Sequence, residues 1–84
     1  MKQVLVIAKY HQSEALRVAA GLTLLNDSIK VDVIGKLDDS PDVSEQKEVL
    51  DFAEVPCEIV EMDNDAQLVR IAQDLMAADV AFLL

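Results

Sequence analysis

Val4-Leu5-Val6-Ile7-Ala8 is an unbroken apolar run of β-branched and aliphatic side chains near the start of an 84-residue chain. A run so short, with no polar face, reads as a parallel strand covered on both sides, the kind found inside an α/β sheet. The next seventeen residues fit that reading. Lys9-Tyr10-His11-Gln12 interrupts the run, and Ser13 offers an N-cap hydroxyl with Glu14 in the first turn, where the helix dipole favours an anion. Ala15, Val18, Ala19, Leu22 and Leu25 then recur at helical spacing, with Leu16, Ala20 and Leu24 apolar as well. Only Glu14, Arg17 and Gly21 form a polar stripe, so the spacing predicts a helix buried around most of its circumference. Asn26-Asp27-Ser28 ends it.

Further along, Ile29, Val31 and Val33 alternate with Lys30 and Asp32, a period of two that predicts an edge strand with one partly wet face over 29–34. Gly35 through Pro41 is rich in turn formers. Asp42 with Glu45 resembles a capping box, and Val49, Leu50, Phe52 and Ala53 would be the inward face of a second helix, stopped by Val55-Pro56. Cys57–Met62 reads as a third strand. Asn64 caps a third helix in which Leu68, Ile71, Ala72, Leu75 and Met76 form an apolar stripe, with Gln67, Arg70, Gln73 and Asp74 towards solvent. Val80–Leu84 is a fourth, wholly apolar strand.

The order is βαβαβαβ over residues 1–84, one α/β domain. Strands alternating with helices imply parallel pairing. A flavodoxin-like, three-layer arrangement with strand order 2-1-3-4 follows from placing the continuous first strand inside and the alternating second strand at an edge. The expected buried set includes Val6, Ile7, Val18, Leu22, Val33, Leu50, Ile71, Leu75 and Phe82.

Composition narrows the function. Apolar residues make up 52% of the chain. So apolar a small domain has more hydrophobic surface than one copy hides, and a homo-oligomer, most simply a dimer, is expected. The net charge of −9 is concentrated in the middle: residues 37–65 hold eleven acidic side chains against Lys47 alone. That face would repel a phosphate backbone, so nucleic acid is not an expected partner. No apolar run approaches the ~20 residues needed to span a bilayer. Met1-Lys2-Gln3 leads straight into a strand, without the longer apolar region of a signal peptide, so the expected location is the cytoplasm.

In open parallel sheets ligands gather at the carboxyl ends of the strands. The candidate binding residues there are Lys9, Tyr10, His11, Gln12 and Ser13 after the first strand, Gly35 after the second and Asp63 after the third. The familiar occupants of such a rim do not fit. Lys9–Ser13 contains no glycine for a dinucleotide pyrophosphate and no Gly-Lys-Ser/Thr for a P-loop. A phosphorelay receiver would place acids where lysine, tyrosine and histidine stand. One histidine cannot build a histidine-rich metal site, and Asp38-Asp39 with Asp63 reads as solvated charge. No metal and no cofactor is therefore expected. Cys57, the only cysteine, precedes Glu58, lacks a neighbouring cation and starts its strand, away from the ligand rim; it reads as structural rather than catalytic.

Four stretches together resemble the DsrE/DsrF-like superfamily, small α/β proteins of bacterial and archaeal sulfur metabolism related to the sulfur-relay subunits of transfer-RNA thiolation. They are Val4–Ile7, Ser13–Leu25 with its Glu-Ala-Leu-Arg-Val-Ala-Ala-Gly-Leu core, Val31-Asp32-Val33-Ile34-Gly35, and Ala78–Leu83. The resemblance implies the fold and assembly with copies of itself or with related DsrE-like subunits. The chain departs from active members in two ways. Cys57 does not match the position of their persulfide-accepting cysteine, and the turn at Gly35 lacks their Gly-Asp-Gly-like sequence. The implied function is a divergent, non-catalytic binding or scaffold protein associated with sulfur or redox metabolism. The alternatives are a sulfurtransferase carrying persulfide on Cys57, and a binder of a nucleotide or flavin at the first-strand rim.

Overall fold

A computed structural model describes residues 2–25, 28–61 and 63–84, with the side chain of Leu25 also outside the description. Asn26 and Asp27 of the expected helix stop, and Met62 at the expected end of the third strand, lie outside the described residues. The elements are β1 (Gln3–Ala8), α1 (Gln12–Leu22) extended by a 3₁₀ turn (Thr23–Leu25), β2 (Ser28–Ile34), α2 (Pro41–Phe52), β3 (Cys57–Val60), α3 (Asp65–Ala77) and β4 (Val80–Leu83). The sheet is four-stranded and wholly parallel, as the alternation of helix and strand implies.

The strand order is β3-β2-β1-β4, which corrects the expected 2-1-3-4. β2 is an interior strand between β1 and β3, and the edges are β3 and β4. The misreading came from Lys30 and Asp32. Their alternation with valine and isoleucine does mark a polar face, but α3 covers that face. With this order the helix layers follow from right-handed crossovers. The chain steps from β1 to β2 to β3 in one direction, so α1 and α2 lie side by side on one face; the return to β4 carries α3 across the other.

The core lies between the sheet and the α1–α2 layer. Val4, Val6 and Ala8 from β1 and Ile29, Val31 and Val33 from β2 pack with Ala15, Leu16, Ala19, Val43, Leu50 and Val55. Of the expected buried set, Val6, Val33 and Leu50 are buried; Ile7, Leu22 and Ile71 are half-buried; Val18, Leu75 and Phe82 are exposed. The first helix hides a narrower face than its composition suggested, because it has the sheet on one side and only α2 beside it. The second turns Val43 and Leu50 inward, leaving Val49 and Phe52 outside.

Local signals shape the ends. Asn64 caps α3, its side chain accepting from the Gln67 backbone N–H at 3.2 Å. Ser40, not Asp42, caps α2, with Pro41 at the first helical position, where a missing N–H costs nothing. His11 occupies the N-cap position of α1 without a side-chain bond, and Ser13, expected there, lies inside the helix. Glu54 adopts a left-handed φ of 60° just beyond α2 and turns the chain towards β3. Gly35, at φ 88°, does the same after β2, and its N–H donates to the Val60 carbonyl at 2.7 Å.

Candidate functional site

The strand order separates the expected rim residues into two groups. Lys9, Tyr10 and His11 sit where β1 meets β4, the point at which the sheet's winding reverses. There the backbone N–H groups of Lys9 and Tyr10 both donate to the Leu84 carbonyl, at 2.8 and 2.9 Å. The Lys9 ammonium lies 5.0 Å from the centre of the exposed Tyr10 ring. Ser13 is half-buried in the first turn of α1.

Gly35 and Asp63 lie instead on the β2–β3 side, where they line a cleft of about 500 Å³ with Lys36, Leu37, Ile59 and Glu61. Gln12 bridges towards this second group. Its amide donates to the Lys36 carbonyl at 2.9 Å and accepts from the Asp38 N–H at 2.7 Å, so it shapes the loop after β2. The rim residues are thus not gathered into one site.

The structure places a different set together under α3. In parallel register Asp32 lies beside Glu58 on β3, with Lys30 two residues earlier on the same face of β2. α3 brings Asp74 and Arg70 over them. The Lys30 ammonium donates to Asp74 Oδ1 at 2.9 Å and lies 3.6 Å from Glu58 Oε1; Arg70 donates to the same Glu58 oxygen at 2.5 Å. Asp32 has no exposed surface, and among the described residues neither of its carboxyl oxygens has a hydrogen-bond partner.

Carboxyl oxygens of Asp32, Glu58 and Asp74 come within 4.8 Å of one another, a spacing that would attract a cation. The Lys30 ammonium already occupies that role, and Arg70 balances a second carboxylate.

The electrostatics arise from this packing. Burial raises the Asp32 pKa, and so do the adjoining Asp74 carboxyl, an acceptor only for a protonated Asp32, and the Asp74 and Glu58 charges; only Lys30 opposes them, and the value is pushed up to about 7. For Asp74, burial is outweighed by the adjoining Asp32 carboxyl, a donor when it is protonated, by the hydrogen bond from Lys30 and by the Lys30 and Arg70 charges, and its pKa falls below the ordinary carboxylate value. Burial likewise works against the charge on Lys30, but Asp74, Asp32 and Glu58 hold its pKa above the usual lysine value. The sequence reading missed this cluster by treating Lys30 and Asp32 as a wet edge and Asp74 and Arg70 as the solvent side of α3. Their signal was the pairing of a Lys-x-Asp strand with opposite and like charges on a later helix, which no single element reveals.

Cys57 is half-buried at the amino end of β3, packed against the α1–α2 core. Burial raises its thiol pKa, Lys47 partly offsets this, and Asp51 and Asp32 reinforce it. Glu58, expected to disfavour its thiolate, points to the other side of the sheet and is engaged by Lys30 and Arg70.

One further surface bears on function. Along α3, Gln67, Leu68, Ile71 and Asp74 turn towards the sheet, half-buried. Arg70 anchors one flank to β3. At about 100° per residue, Ala72 falls on the roughly opposite flank, towards β1 and β4, and Met76 turns further out towards solvent. β4 presents Ala81 and Leu83, in register with Leu5 and Ile7, on the same face of the sheet. Met76 is 88% exposed and Leu83 60%.

Fold and surface define a three-layer, all-parallel α/β domain with a charged cluster beneath one helix and an apolar strip beside it. Among known protein families and curated proteins, none matches this chain. Among the described residues no helix is long and apolar enough to cross a membrane.

Proposed function

We propose that this domain is a non-catalytic binding and scaffold module. It pairs with a second copy of itself through the flank of α3 and the outer face of β4. The observation that carries the reading is the apolar strip of Ala72, Leu75, Met76, Ala81 and Leu83, all exposed, beside a strand that pairs on one side only. An edge strand and an apolar patch left together are a template for association.

Charge favours a like partner at this surface. Residues 37–65 carry ten net negative charges, whereas residues 66–84 carry one, so two copies repel least where α3 and β4 meet. The chemistry of Cys57 supports a non-catalytic role, since a half-buried thiol with a raised pKa holds little thiolate at neutral pH. The sulfur or redox setting rests on the resemblance of Ser13–Leu25 and Val31–Gly35 to DsrE-like proteins.

Sedimentation velocity at tens of micromolar tests the reading. The expected result is a dimer or larger assembly, converted to monomer by Met76→Glu or Leu83→Glu with the circular dichroism spectrum unchanged. A monomeric wild-type chain, or variants that associate as strongly as wild type, would remove it.

A further inference from the structure

We propose that Asp32 and Asp74 form a proton-operated latch that fastens α3 to the sheet, independently of self-association. The charges beneath α3 are out of balance: three carboxylates, Asp32, Glu58 and Asp74, face two cations, Lys30 and Arg70. Glu58 accepts from Arg70, and Asp74 Oδ1 accepts from Lys30. Among the described residues, both oxygens of Asp32 and Oδ2 of Asp74 remain buried without a hydrogen bond, although the Lys30 ammonium lies within ion-pair distance of that Oδ2.

A buried carboxylate with no donor is strongly disfavoured. One proton on Asp32 resolves the whole arrangement. It removes the unbalanced charge, and it gives Asp32 a donor whose nearby acceptor is the Asp74 carboxylate. The groups facing Asp32 leave no other remedy. β2 supplies Lys30, β3 supplies Glu58, α3 supplies Asp74 and Arg70, and β1 supplies only the apolar Leu5 and Ile7.

The latch matters because α3 has little else to hold it. None of its residues is fully buried. Deprotonation places a second negative charge against Asp74 on a side chain that has no exposed surface of its own, and the nearest relief is for α3 to lift. Linkage gives the direction of the pH effect. The ordinary aspartate pKa is 3.8 and the folded value is about 7. Between those values the folded chain holds a proton that the unfolded or α3-open chain releases. Closure therefore weakens as pH rises from about 4 to about 7 and is level above that.

Two measurements test the proposal. The ¹³Cγ shift of Asp32 in uniformly labelled wild-type protein should titrate with a midpoint above pH 6; a midpoint at or below 6 overturns it. Hydrogen exchange, corrected for the intrinsic pH dependence, should show protection of the α3 amides from Leu68 to Leu75 falling from pH 5 to 8. The fall should be roughly a hundredfold, because about two of the three units that separate the open and closed values lie above pH 5. The α1 amides should not follow. In Asp32→Asn, whose amide donates to Asp74 at every pH, the α3 profile should be flat. If wild type and Asp32→Asn share one pH dependence, the latch does not exist.

Discussion

On the α1–α2 side of the sheet, Val4, Val6, Ala8, Val31 and Val33 meet Ala15, Leu16, Ala19, Val43 and Leu50, a contact with essentially no water in it. On the α3 side the same two strands present Leu5 and Ile7 next to Lys30 and Asp32, and α3 answers with half-buried Leu68 and Ile71 and with Asp74. The first face is held by apolar burial, which is non-directional and insensitive to pH. The second depends on a few charged groups whose geometry and protonation have to agree. One parallel sheet can thus join a permanent layer to one whose attachment responds to conditions.

The dry face should show the greatest sensitivity to truncation. Leu50→Ala should cost about 2–5 kcal/mol of stability, the usual range for a fully buried leucine. Ile71→Ala on the other face should cost about 1–2 kcal/mol, since only part of its side chain leaves water. Urea midpoints for the two variants decide the matter; equal losses would mean the two helix layers are equally packed.

On the charged side the expected losses are smaller and depend on pH. Lys30→Met should cost about 1–3 kcal/mol at pH 8, between the values for exposed and fully buried ion pairs. Without the ammonium, three carboxylates face one another. Protonation relieves that repulsion, so the loss should shrink at pH 5.5. A penalty that does not change between pH 5.5 and 8 would show that Lys30 contributes packing alone.

A joint of the dry layer should respond least. Glu54 holds a left-handed conformation after α2 that glycine adopts without strain. Glu54→Gly should raise stability by about 0.5–1 kcal/mol relative to a neutral surface change such as Glu45→Gln, as read from thermal or urea unfolding. A loss of stability would indicate that the Glu54 side chain has a role of its own.

Much of the architecture was determined locally and is legible in the chain. Val4–Ala8 states a strand covered on both faces, and helices alternate with strands throughout. Asn64 announces the start of α3 because its side chain reaches Gln67 three residues on. These features involve neighbours within a turn or a strand, so composition and spacing carry them.

The strand order, the rotation of α3 and the cluster beneath it were decided only by tertiary structure. Lys30 and Asp32 prove that one face of β2 differs from the other, yet a face wetted by water and a face covered by partner charges have the same alternation. On α3, the stripe Leu68, Ile71, Ala72, Leu75 and Met76 should face the sheet by hydrophobicity alone. Instead, Asp74 sits inside against Lys30 and Arg70 reaches Glu58, while Met76 is left outside. Such pairings join residues 12 to 44 positions apart. Their energy exists only once the sheet has brought them together, and that is why the sequence read along its length could not show them.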